Sequence, residues 1–93
     1  MKTLSLRCEG YHRTAYHRVR LTPLLRGRIL FYMQLRVGQL EASDPDMRRS
    51  ALYQVGLDLL RAAVDCRKAE PTPKTREQLR LLVDEVLKNS HAT

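Results

Sequence analysis

The sequence predicts a mostly helical, small α+β domain: an N-terminal β-hairpin packed on three antiparallel α-helices. Three patterns support this. Apolar and polar residues alternate over residues 3–8 and 15–21, the period of a half-buried strand. Thr22-Pro23, Asp44-Pro45 and Thr72-Pro73 each set a capping residue before a proline, a helix-start signal. After each start, apolar residues recur three and four apart. The alternative is an all-α three-helix bundle in which residues from about 11 form an irregular helix or a flexible arm. Ninety-three residues suffice for one domain, divided into a basic hairpin or arm over 1–21 and a helical bundle over 22–90. With one Phe and no Trp, leucine must supply most of a thin core.

In the first run, Leu4, Leu6 and Cys8 alternate with Thr3, Ser5 and Arg7. Glu9-Gly10 marks a turn. In the second, Ala15, His17, Val19 and Leu21 share one face, with Tyr16, Arg18 and Arg20 on the other. Two such runs around a glycine-containing loop read as a hairpin. It needs a helix over its apolar face, because two strands alone are marginal.

The first helix is expected from Pro23 to about Glu41. Leu30, Met33, Val37 and Leu40 make one stripe, and Leu24, Phe31 and Leu35 make a second. Two apolar sides mean two buried sides, so the second stripe is expected to meet a partner protein or a second copy of the chain in a homodimer. The second helix is expected from Pro45 to about Ala69, with Leu52, Val55, Leu59, Ala62 and Cys66 inward and Asp58, Arg61 and Asp65 outward. The third runs from Pro73 to about Asn89 on a face of Leu79, Leu82, Val83, Val86 and Leu87. Arg48 and Arg49 open the second helix. They read as partners of Asp44 and Asp46, or else as phosphate contacts of a recognition helix.

Charge is distributed unevenly. Thirteen Arg and four Lys against ten acids give +7. Residues 1–40 hold eight of the cations and one acid, Glu9, so the whole excess lies there. Tyr-His-Arg occurs twice, at 11–13 and 16–18. Arginine neutralises phosphate, and Tyr offers a flat surface to an unpaired base. The expectation is a non-enzymatic protein contacting DNA or RNA through Arg7, Tyr11, Arg13, Tyr16, Arg18, Arg20, Arg26 and Arg28. The alternative is an adaptor, chaperone or inhibitor, of the kind a phage or plasmid encodes, that docks on an acidic partner protein through Leu24, Phe31 and Leu35.

No catalytic constellation, nucleotide-binding fingerprint or nucleophile elbow is present, so no enzyme activity and no cofactor are expected. Cys8, His12 and His17 are spaced as weak metal-ligand candidates but lack a fourth ligand, and no metal site is expected. His12 and His17 beside arginine carry no geometry that would make them a nuclease pair. No run is long and apolar enough to span a membrane. Two cysteines are too few for a disulfide framework, and Cys66 reads as a buried thiol. That reading implies a reducing, cytoplasmic setting.

Overall fold

A computed structural model describes residues 2–10, 13–40 and 44–90. It shows a small α+β fold with three helices and a three-stranded antiparallel sheet. Strands β1 (Thr3–Glu9) and β2 (Thr14–Arg20) are followed by helices α1 (Pro23–Gly38) and α2 (Pro45–Ala63). A two-residue strand β3 (Glu70–Pro71) and helix α3 (Pro73–Ser90) complete the chain. The strand order is β2-β1-β3. The sequence anticipated two strands, and the third adds to β1 on the side away from β2.

β1 and β2 pair with Leu4 opposite Val19, Leu6 opposite His17 and Cys8 opposite Ala15. Leu4 and Leu6 are sealed from solvent. Alternation therefore turns Thr3, Ser5 and Arg7 outward with their partners Arg20, Arg18 and Tyr16. β3 pairs antiparallel with β1, Arg7 facing Glu70 and Leu6 facing Pro71. A proline is tolerated there because β3 is an edge strand. Just past it, Thr72 N–H donates to the Ser5 carbonyl. The buried Thr75 hydroxyl accepts from Ser5 N–H at 2.9 Å and donates to Ser5 O at 2.8 Å. The first turn of α3 thus completes the hydrogen bonding of β1 where the strand ladder ends.

All three helix starts carry the expected caps, Thr72 Oγ1 accepting from Thr75 N–H at 3.4 Å. Thr22 Oγ1 accepts from Leu25 N–H, and Asp44 Oδ1 accepts from Met47 N–H. Each cap satisfies one of the orphan donors of its first turn. The core joins Leu4 and Leu6 to Ile29 and Met33 of α1, Leu52, Leu57 and Leu60 of α2, and Leu79, Leu82, Val83 and Val86 of α3. At its centre the helices converge on Gly56. A Cβ there would lie 2.8 Å from both Leu79 Cδ2 and Met33 Cε.

Several expectations are corrected. α1 ends at Gly38 with Gln39 as its C-cap, short of the expected end at Glu41, which lies outside the described residues. Ile29, absent from the expected stripes, is fully buried, whereas Leu30 and Val37 are only half-buried. α2 stops at Ala63 rather than Ala69, and its buried face is Leu52, Gly56, Leu57 and Leu60. Ala62, expected inside, is exposed. The stop is a C-terminal cap in which Asp65 takes a left-handed φ of 54°. Cys66 N–H reaches Arg61 O, and Asp65 N–H reaches Ala62 O, which together form a Schellman turn. Arg61, expected in solvent, donates through Nε to Ala69 O and braces the following loop.

The cysteines are also corrected. Cys8 and Cys66 form a disulfide across 58 residues of sequence. Cys66 is therefore not a free buried thiol, and the argument from free thiols to a reducing compartment loses its premise. The bond ties the outer end of β1 to the loop that leaves α2.

Candidate nucleic-acid interface

The outer face of the hairpin is assembled by strand register alone. Arg7 stands across from Tyr16, Ser5 from Arg18 and Thr3 from Arg20. All three arginines are exposed, and the Tyr16 ring is 65% exposed. Such a ring on a sheet surface presents a π-face flanked by guanidinium groups. Arg7 has acidic neighbours. Its Nη2 lies 3.6 Å from Glu9 Oε1, and Glu70 stands opposite it on β3. That contact is between exposed groups and holds little energy. Among the described residues, no carboxylate lies within ion-pair distance of Arg18 or Arg20. Arg13 is exposed immediately before β2.

Beside this face is a hollow of about 180 Å³ lined by Arg7, Tyr16, Glu70, Pro71, Thr72, Pro73 and Arg76. Arg76 also lines a larger hollow of about 470 Å³ between α2 and α3, together with Arg49, Ser50, Tyr53, Arg80 and Val83. Arg49 and Tyr53 are one turn apart on α2, and Arg76 and Arg80 are one turn apart on α3. Two rows therefore face one another across the groove. The groups differ in how they are held. Arg49 pairs with Asp84 across the helices, not with Asp44 or Asp46 as expected. Arg76 Nε donates to Pro71 O at 3.3 Å. Arg80 has no ion pair among the described residues.

The eight residues expected to contact nucleic acid do not all converge. Arg7, Tyr16, Arg18 and Arg20 share the outer sheet face. Tyr11 lies outside the described residues. Arg26 forms an ion pair with Glu85 of α3, so its charge is compensated within the fold. Arg28 lies on α1 beside Leu24 and Phe31, within an exposed apolar surface. Conversely, the net-neutral half of the chain brings Tyr53, Arg76 and Arg80, which were not among the expected site residues, together with Arg49, which was read only as an alternative phosphate contact. Their signal was the four-residue spacing within each helix, which a tally of net charge averages away.

The sulfur of Cys8 is held in the disulfide, which removes it from the set with His12 and His17. His12 lies outside the described residues. No group of three metal-ligating side chains gathers among the described residues, and no helix there is long and apolar enough to cross a membrane. Comparison with known proteins finds no family model, no curated protein and no solved structure that matches this chain.

Proposed function

We propose that this chain is a non-enzymatic nucleic-acid-binding protein that holds a strand across the outer face of β1 and β2. One observation carries the reading. Among the described residues, Arg18 and Arg20 have no carboxylate partner and stand beside Tyr16 and Arg7, and Arg76 links that face to the Arg49–Arg80 groove. The arginines neutralise successive phosphates and release counterions. Tyr16, exposed on the sheet, stacks on a base, and Tyr53 offers a second ring in the groove. Stacking on an isolated ring requires an unpaired base, so the favoured ligand is single-stranded.

The test is a fluorescence-anisotropy titration with a labelled single-stranded oligonucleotide over a range of salt concentrations. Affinity should fall linearly on a log–log plot. Replacing Arg18 and Arg20 by Gln should lower the slope by about one for each phosphate that is no longer neutralised. Tyr16→Ala should leave the slope unchanged while weakening binding by about 1–3 kcal/mol. No binding at low salt, or an affinity indifferent to salt, rules the proposal out.

A further inference from the structure

Among the described residues, none covers the second apolar stripe of α1. Leu24 is 76% exposed, Phe31 56% and Leu35 51%. Seven and eleven residues on from Leu24 return to the same side of a 3.6-residue helix, so the three form one ridge. Tyr32 borders the ridge and is 46% exposed. Its ring meets Phe31 edge to face, with centroids 5.5 Å apart. Large apolar side chains exposed side by side, rather than singly, point to an interaction surface.

The charges around the ridge select what covers it. α1 contains no acidic residue. Arg26 is paired with Glu85, but Arg28 and Arg36 have no carboxylate within reach among the described residues. Arg36 Nη1 donates to the neutral Gln39 Oε1 at 3.0 Å. Arg28, Tyr32 and Arg36 are spaced by four, forming a cationic row parallel to the apolar ridge. A second copy of the chain would set these cations against their own images, because a two-fold interface repeats one surface. A partner with carboxylates in that position meets no such repulsion. On the other flank, a Cβ at Gly27 or Gly38 would touch nothing. Packing within this fold therefore does not demand glycine at either position, although both weaken the helix. Absent side chains there let another helix backbone approach closely.

We propose that the outer face of α1 docks an acidic amphipathic helix of a partner protein. Leu24, Phe31 and Leu35 meet its apolar stripe, and Arg28 and Arg36 meet carboxylates along one border. This surface uses none of the arginines assigned to the sheet face, so the two readings stand or fall separately.

The probe is a labelled synthetic helix of about five turns, with leucines on one face and glutamates along its borders, compared with the same peptide carrying glutamine for glutamate. The glutamate peptide should bind the intact chain about tenfold more tightly than the glutamine peptide. Phe31→Ser should weaken binding by more than about tenfold. Combined Arg28→Gln and Arg36→Gln should erase the preference for glutamate, while Arg18→Gln with Arg20→Gln leaves it intact. Gly27→Ala gives a readout that misfolding cannot imitate: Tm should rise by about 4 °C as peptide affinity falls. Equal binding of the two peptides, or glutamate selectivity that follows Arg18 and Arg20, overturns the proposal. So does a chain that sediments as a dimer dissociated by Phe31→Ser, which would make the occupant a second copy.

Discussion

At the scale of single residues, the Cys8–Cys66 bond has the widest reach. It closes 58 residues of sequence, and loop-closure entropy for a ring of that size amounts to about 4 kcal/mol. A 93-residue domain with a leucine core has about 5–15 kcal/mol of stability in total, so the bond accounts for a large share. The native chain should therefore show no reactive thiol to a thiol reagent in the absence of reductant. Cys66→Ser should unfold at distinctly lower urea, with a stability loss of up to about 4 kcal/mol. A full complement of titratable thiols in the folded protein would refute the pairing. Nothing in the sequence marked these two cysteines as partners, since their meeting depends on β1 and the end of α2 being brought together. Arg61 was hidden for the same reason. Its spacing from Asp58 describes a surface ion pair, which forms at 3.7 Å through Nη1, but the same side chain also turns its Nε onto Ala69 O, an acceptor created only when the helix stops early.

At the scale of elements, the strands and helix starts were legible because their determinants are local. Alternation over residues 3–8 and 15–21 set the β1–β2 register, and Thr22-Pro23 and Asp44-Pro45 set caps that reach only three residues ahead. The short strand β3 was not legible, because two residues carry no period and Pro71 reads as a breaker. The buried face of α2 was misjudged because Gly56 has no side chain to count as apolar, yet it lies where α1 and α3 both press against α2. That close approach makes a sign prediction. Alanine in place of glycine inside a helix ordinarily stabilises by about 1 kcal/mol. At Gly56 the new methyl collides with the fully buried Leu79 and Met33, and overpacking of this kind costs about 1–3 kcal/mol. Gly56→Ala should therefore lower Tm in a melting experiment. An increase in Tm would show that the three helices have room to separate at this point.

At the scale of the molecule, the principal extents are 48 × 26 × 19 Å, and the Cα radius of gyration is 13.8 Å. A compact chain of this length has a radius of about 12 Å, so the protein is drawn out along one axis. Its core is nonetheless shared. Leu4 and Leu6 enter the same cluster as Ile29, Met33, Leu52 and Leu79, and α3 contacts both β1 and β3. The far end of the hairpin lacks such cover, since Ala15 on the core-facing side of β2 is exposed. This arrangement suits the proposed nucleic-acid face: the outer arginines stand on strands whose inner ends are anchored and whose outer ends are tied down by the disulfide. It also means that the sheet and the helices should not melt independently. Leu6→Ala removes a fully buried side chain where the sheet meets the helices, at a cost of about 2–5 kcal/mol. With the disulfide intact, the helical circular dichroism and the amide resonances of β1 and β2 should be lost over one shared range of urea. If the strand resonances vanish while helicity persists, the sheet is a separable layer, and the outer face would lack the rigid support that ordered phosphate contacts need.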